Sequence, residues 1–150
     1  MKQLTIICLF AYILFSCTKV NEKPAEKIFQ NEYPQKWQLI TISSGQVTYS
    51  ETKGTDMAWQ EFYLLNSDGT FKKSRDQKGV LTEASGTFSF KTVSDEKYLI
   101  LTYKTNSPII ESCTSIALTE SLWIKNNTTN KMIGGSAACD GPDLEYERTE

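Results

Sequence analysis

The stretch WQEFYLLNSDGTF, residues 59–71, predicts a β-hairpin, and the rest of the chain is organised around it. Residues 63–65 (YLL) are of types that suit a pleated, half-buried surface. Residues 66–69 (NSDG) are typical of a tight turn, because the glycine adopts the left-handed conformation without a Cβ clash. If the last three of these residues form the loop, Leu65 pairs with Phe71 across the hairpin.

Short strand-like segments lie on both sides of the hairpin, separated by turn residues. They are residues 36–43, 70–75, 86–93, 98–103, 109–118, 121–125, 131–135 and 143–148. Eight or nine strands with short connections favour an all-β fold, namely an antiparallel up-and-down eight-stranded β-barrel, with a β-sandwich as the alternative. A closed barrel also leaves no unpaired sheet edge.

One early segment shows no regular spacing of hydrophobic residues. Residues 45–57 (GQVTYSETKGTDM) are expected to form a long surface loop, and long loops in compact domains are often functional. Within it, Tyr49 and Met57 are interpreted either as a lid over a cavity or as solvated turn residues.

Composition excludes several classes of function. The chain has 150 residues, which suits a single folded domain, and a net charge of −2, so no basic field indicates a nucleic acid partner. It has no histidine, which removes the commonest general base and the commonest metal ligand. No nucleophile motif, phosphate loop or metal-ligand spacing is present. We therefore expect neither an enzyme nor a metal or cofactor site.

The N-terminus has the pattern of a targeting signal. Lys2 precedes an apolar run, residues 4–15, that is too short to span a bilayer comfortably. Ser16 and Cys17 follow, which resembles a bacterial lipoprotein signal in which the cysteine is lipidated. Residues 1–16 are thus expected to be the signal peptide. The alternative is an ordinary secretory signal, in which Cys17 is not lipidated and has no role in targeting.

The polar residues after the cysteine predict a tether. Residues 17–35 would link the lipid anchor to a barrel domain at residues 36–150. Because no run of acidic residues follows Cys17, we expect the protein to face the periplasm from the outer membrane. The membrane, through this anchor, is the one partner that the sequence indicates directly, and the protein is expected to be a monomer.

The remaining cysteines predict one disulfide bond. Cys8 is expected to be removed with the signal peptide, and Cys17 is expected to be lipidated. Cys113 and Cys139 therefore remain available for oxidation in an exported protein. The bond would close a loop of about 26 residues and contribute roughly 3 kcal/mol in the chain-entropy model. The alternative is two free thiols.

These features together resemble those of the lipocalin-like lipoproteins common in Bacteroidetes. The matching features are the lipid-attachment cysteine, KWQL at 36–39, DGTF at 68–71, GTF at 86–88, Cys113, Glu120, Leu122, Cys139 and LEY at 144–146. The resemblance covers residues 36–148. It implies an eight-stranded barrel with a small apolar cavity and no catalytic residues.

The central hairpin also predicts a polar cluster. Its register places Glu61, Tyr63, Lys73 and Arg75 on the same face as Leu65 and Phe71. If that face points inward, a phenol and two cations lie in the cavity and suit a carboxylate ligand. Alternatively, a bulge turns Lys73 and Arg75 out to solvent.

Two aromatic residues complete the candidate ligand site. Phe88 and Phe90 share one face of the strand at 86–93, the clearest half-buried strand in the chain. With Tyr63, Lys73 and Arg75 they are the residues expected to contact a ligand.

Trp37 and Arg148 are expected to close the barrel. The first and last strands of an up-and-down barrel pair with each other, which brings both residues to the same end. The resemblance implies that the arginine covers the first-strand tryptophan, in a structural role outside the ligand site. The alternative is that Arg148 frays with the C-terminus.

The sequence leaves three classes of function open, of which an enzyme is the least favoured because histidine and a nucleophile motif are missing. The first is a cell-envelope lipoprotein that binds or carries a small apolar or amphipathic molecule. The second is a lipid-anchored interaction or inhibitor module without such a ligand. An interior cavity would favour the first, whereas a filled barrel with exposed apolar loops would favour the second.

Overall fold

The computed structural model describes residues 32–44, 50–114, 116, 118–125 and 130–149. Nine β-strands make up most of this part of the chain. They are β1 (Gln35–Ser44), β2 (Ser50–Lys53), β3 (Gln60–Leu65), β4 (Thr70–Gln77), β5 (Val80–Val93), β6 (Glu96–Tyr103), β7 (Thr119–Ile124), β8 (Lys131–Gly135) and β9 (Asp143–Arg148). Short 3₁₀ turns occur at Gly54–Asp56 and Ala137–Cys139. None of the helical turns in these ranges has the length and apolar character needed to cross a membrane.

The sheet is antiparallel throughout and closes on itself. Each strand from β3 to β8 pairs with the next strand in sequence, and β9 returns to pair with β1. The strands β2 and β3 pair with successive parts of the same edge of β1, so together they count as one interrupted barrel strand. The predicted up-and-down eight-stranded barrel is confirmed, and the β-sandwich alternative is wrong.

The central hairpin forms as its turn sequence predicts. Leu65 lies opposite Phe71, and the backbone N–H of Asn66 donates to the carbonyl of Thr70 at 2.9 Å. Gly69 has a φ of 79°, in the left-handed region that favours glycine. This short turn fixes the register of β3 against β4, and with it the face on which their charged residues lie.

The interpretation of residues 45–57 as one long loop is wrong in part. Ser50–Lys53 forms β2, and its four residues SETK pair with the end of β1. Because β2 is polar and mostly exposed, it has no hydrophobic alternation by which the sequence could reveal it. Met57 is buried in the core, so it is not a solvated turn residue, and Tyr49 lies outside the described residues.

The predicted strand at residues 109–118 does not form in residues 109–114, 116 and 118, which are the described part of this range. This segment belongs to an irregular connection between β6 and β7. The side chain of Ile109 is buried, and the carbonyl oxygen of Ile109 accepts a hydrogen bond from Lys73 at 2.7 Å. A buried backbone group needs a partner, and here a side chain replaces a neighbouring strand.

The up-and-down order gives the barrel two distinct ends. The loop end carries the connections at residues 78–79, 104–118 and 136–142. The N-terminal end carries residues 32–34 and the connections after β3, β5 and β7. Inward-facing apolar side chains fill much of the space between the two ends. They include Trp37, Leu39, Leu65, Phe71, Leu99, Leu101, Leu122, Ile124, Met132 and Leu144.

Candidate functional site at the loop end of the barrel

Four charged side chains lie inside the barrel towards its loop end. Glu61, Lys73, Arg75 and Glu120 are between 0% and 7% exposed. They come from three strands, β3, β4 and β7, because the alternation of each strand turns every second residue inward. The hairpin register therefore places Lys73 and Arg75 inside the barrel, and of the two alternatives the bulge that turns them out to solvent is wrong.

Lys73 lies at the centre of this group. Its Nζ donates to Oε1 of Glu120 at 2.9 Å and to the carbonyl of Ile109 at 2.7 Å, and it lies 3.2 Å from Oε1 of Glu61. An ammonium group has three donors, and each has an acceptor here. A fully buried lysine is tolerated when it is paired and hydrogen-bonded in this way.

Arg75 links the buried group to the rim of the barrel. Its Nε pairs with Glu61, and its Nη2 donates to Glu111 at 3.0 Å. The guanidinium also lies 4.3 Å from the ring centroid of Trp59. Burial disfavours the charged form of Arg75, but the two carboxylates outweigh this effect and raise its pKa.

Three tyrosines complete the hydrogen bonds of the two inner carboxylates. Tyr63 and Tyr103 donate to Oε2 of Glu120 at 2.7 and 2.6 Å, and Tyr146 donates to Oε1 of Glu61 at 2.5 Å. Burial first, and then the nearby carboxylates, raise the pKa of each phenol above its usual value. The phenols are therefore held in the protonated state, as hydrogen-bond donors.

The inner group is neutral without a ligand, since two carboxylates balance one lysine and one arginine. This changes the interpretation of Tyr63, Lys73 and Arg75 as a carboxylate-binding set. Their cations are already paired with Glu61 and Glu120 of the same chain. The chain itself thus supplies the anions that a carboxylate ligand was expected to bring.

Residues 107–112 cross over this group. Ile109 is 3% exposed, and the backbone N–H of Glu111 donates to Oε1 of Glu120. The carboxylate of Glu111 also accepts from the hydroxyl of Ser136 at 2.8 Å. The predicted disulfide between Cys113 and Cys139 is confirmed, and it joins the β6–β7 connection to the β8–β9 connection.

An open cleft lies beside this crossing segment. It has a volume of about 470 Å³ and lies between the β4–β5 hairpin and residues 108–109. Its walls are formed by Arg75, Gln77, Lys78, Val80, Thr82, Pro108 and Ile109. The cleft is amphipathic, because apolar side chains face it together with a lysine and an arginine. Val80 is 65% exposed at its edge.

Phe88 and Phe90 do not join this site. They lie towards the N-terminal end of the barrel, where the ring of Phe88 lies 6.1 Å from that of Tyr33 and 5.8 Å from that of Phe90. Phe88 packs against the core, whereas Phe90 is 37% exposed. The five candidate ligand residues therefore fall into two groups at opposite ends.

Trp37 and Arg148 face each other across the β1–β9 pairing that closes the barrel. Trp37 is 1% exposed, and its indole N–H donates to the side chain of Gln35 at 3.2 Å. Arg148 donates to the carbonyl of Glu32 at 3.2 Å. Stacking of the guanidinium on the indole stays a prediction. Cys17, the signal peptide and most of the tether lie outside the described residues.

Glu61 and Glu120 were not recognised as partners of the two cations from the sequence alone. Glu61 lies directly opposite Arg75 in the hairpin register, and this pairing was enough to predict an ion pair between them. Glu120 alternates with Leu122 and Ile124, so it occupies the apolar face of β7. A charge on such a face indicates a buried partner. Among the described residues, no three cysteine or acidic side chains are grouped so as to hold a metal.

Comparison with known proteins gives no relative for this chain. No protein-family model matches it, and neither the curated proteins nor the solved structures contain a match. The architecture itself is that of a lipocalin-like barrel: eight antiparallel strands in up-and-down order, closed by the first and last strands. The resemblance to the lipoproteins of Bacteroidetes remains a prediction.

Proposed function

We propose that the protein is a cell-envelope lipoprotein that binds a small amphipathic molecule at the loop end of its barrel. The amphipathic cleft beside Val80 and Ile109 is the observation that carries this proposal. Binding and not catalysis is proposed, since the buried charges of the barrel already neutralise and hydrogen-bond one another.

The chemistry of the cleft suggests the class of ligand. Val80 and Pro108 are exposed and offer apolar contact, and Lys78 supplies a positive charge beside them. An apolar molecule with an anionic group fits both features. The nearby interior is a poorer site for such a molecule, because Tyr63, which is 2% exposed, and other side chains occupy it.

A matched pair of substitutions tests the cleft. Val80 and Leu81 are neighbours on β5 and are 65% and 63% exposed, but only Val80 forms part of the cleft wall. Using the anionic amphiphile anilinonaphthalene sulfonate as a fluorescent probe, we expect Val80→Asp to weaken binding about tenfold or more, through lost apolar contact and like-charge repulsion. Leu81→Asp is expected to leave the affinity within about twofold.

The same pair separates the second candidate function, an interaction or inhibitor module. Val80, Leu81 and Ile116 are apolar, more than 60% exposed, and located at the loop end. A protein partner that covers this end would contact both faces of the hairpin tip. Equal losses in the two variants would therefore favour the module, and a wild-type protein that does not bind the probe would contradict the cleft proposal.

The anchor is the second part of the proposal. We propose that Cys17 carries lipid and holds the protein on the periplasmic face of the outer membrane. Cys17→Ala is then expected to move the protein from the detergent phase to the aqueous phase in a partition experiment, because only acyl chains retain it. A mutant that remains with the membranes would contradict the anchor.

A further inference from the structure

The segment at residues 107–112, SPIIES, is bound by the barrel in the way that a protein binds a peptide. The carbonyl of Ile109 accepts from Nζ of Lys73 at 2.7 Å. Two residues later, the backbone N–H of Glu111 donates to Glu120. Both partners are buried side chains of the barrel, which are 0% and 3% exposed. One peptide carbonyl and one peptide N–H are thus recognised separately.

Side chains of the segment add two further contacts. Ile109 is 3% exposed, so its side chain is held inside the loop end. The carboxylate of Glu111 accepts from Arg75 at 3.0 Å and from Ser136 at 2.8 Å. The segment therefore presents the features of a ligand: an apolar residue, an amide carbonyl, an amide N–H and an acidic group.

The carbonyl of Ile109 and the N–H of Glu111 satisfy buried polar atoms of the barrel. Without the segment, a donor of Lys73 and part of the carboxylate of Glu120 would lose their partners in a largely buried place, and buried polar groups without partners are costly. Water or another molecule with an amide group would have to replace them. A second peptide satisfies the same donors and acceptors in the same positions.

We propose that the loop end is a peptide-binding site, which residues 107–112 of the same chain occupy in this structure. The ligand class is a short peptide, or another amide-bearing carboxylate, with apolar residues before an acidic group. This inference rests on the proposed function, because it names a ligand class for the same end of the barrel. The internal segment competes with any external ligand, and tethering gives it a high effective concentration.

The disulfide bond controls that competition. Cys113 lies two residues after Glu111 and is bonded to Cys139, so the bond fixes the C-terminal side of the segment. A dithiol reductant delivers two electrons and two protons to this bond, which breaks into two thiols while the reductant closes to its own disulfide. The freed segment then gives way to an external peptide.

The test uses the full chain with Cys113→Ser and Cys139→Ser, and the acetylated, amidated peptide SPIIES as the probe. The reversed sequence, SEIIPS, is the matched control of equal composition. We expect the forward peptide to bind this variant at least about tenfold more tightly than the reversed peptide, and oxidised wild type to bind neither. Adding Glu111→Ala weakens the internal competitor and is expected to tighten forward-peptide binding further.

Hydrogen exchange of residues 107–112 shows whether the segment has opened. Faster exchange in the cysteine variant, together with preference for the forward peptide, is the expected result. Protection that persists with Glu111→Ala added, or opening without that preference, would overturn the proposal. If the cysteine variant does not fold, wild type reduced with dithiothreitol after folding takes its place. Binding of anilinonaphthalene sulfonate by oxidised wild type tests the amphipathic cleft beside Val80 in a separate measurement. Failure of the cleft proposal can therefore be distinguished from failure of the peptide-site proposal.

Discussion

Each of the three inner phenols donates a hydrogen bond to a buried carboxylate. Tyr63 and Tyr103 share Glu120, and Tyr146 uses Glu61. Ionising any of them would place a second negative charge beside the first in a nearly dry site, which is why burial and these carboxylates raise their pKa values. The barrel is therefore sensitive to high pH at these residues.

The direction of that pH dependence follows from linkage. A group whose pKa is raised in the folded state contributes stability that is present below its unfolded pKa, about 10 for tyrosine, and is lost as the pH rises further. In an alkaline titration followed by tyrosinate absorbance, we expect Tyr63, Tyr103 and Tyr146 to ionise only as the protein unfolds. Their ionisation near pH 10 with native near-ultraviolet circular dichroism intact would contradict this.

At the scale of single residues, the sequence grouped Tyr63, Lys73 and Arg75 on one face of the central hairpin but left open whether that face points inward. The period of two and the turn at residues 66–69 were enough to place Lys73 and Arg75 together. Glu120, a partner of Lys73, lies 47 residues from it along the chain. Such a contact between distant strands depends on how the barrel closes. The closure cannot be predicted from the hydrophobic pattern of each strand taken alone.

At the scale of elements, the closure of the barrel depends on β1 and β9. Trp37 and Arg148 are directly opposed in this pairing and therefore project towards the same face. In a double-mutant cycle with Trp37→Phe and Arg148→Ala, we expect a coupling of about 0.5–2 kcal/mol in the free energy of unfolding if the guanidinium stacks on the indole. A coupling near zero would rule out the stack.

The two elements that the sequence analysis got wrong share a physical cause. β2 is polar on both faces, and the segment that begins at Ile109 is apolar at its start, but its residues 109–114 form no strand. In each case a tertiary contact decides the conformation: the free edge of β1 holds β2, and Lys73 with Glu120 holds Ile109 and Glu111. The spacing of hydrophobic residues along the chain indicates only local amphipathic character, so it predicts neither β2 nor the irregular conformation that begins at Ile109.

At the scale of the whole molecule, a closed sheet surrounds apolar side chains, which fill much of the interior, and a buried group of two carboxylates and two cations. The expectation of a small apolar cavity came from the family resemblance. In the part of the chain that the structure describes, the amphipathic cleft of about 470 Å³ lies at the loop end and is open to solvent. The proposed ligand site therefore moves from the centre of the barrel to its rim.

Buried charges of this chain, paired with one another, occupy the loop end of the barrel. Denaturant unfolding of Lys73→Met and Lys72→Met is the sharpest test of this arrangement, since these neighbours on β4 have the same side chain on opposite faces. Lys73 is fully buried between Glu61 and Glu120, whereas Lys72 pairs with Glu83 at the surface, with 43% of its side chain exposed.

Removing one member of a buried ion pair leaves the others uncompensated, which costs about 3–5 kcal/mol. An exposed pair contributes about 1 kcal/mol or less. We therefore predict that Lys73→Met lowers the free energy of unfolding by about 3 kcal/mol or more, and Lys72→Met by less than about 1 kcal/mol. Equal, small effects of the two substitutions would show that Lys73 is not held in a buried network, and would contradict the account.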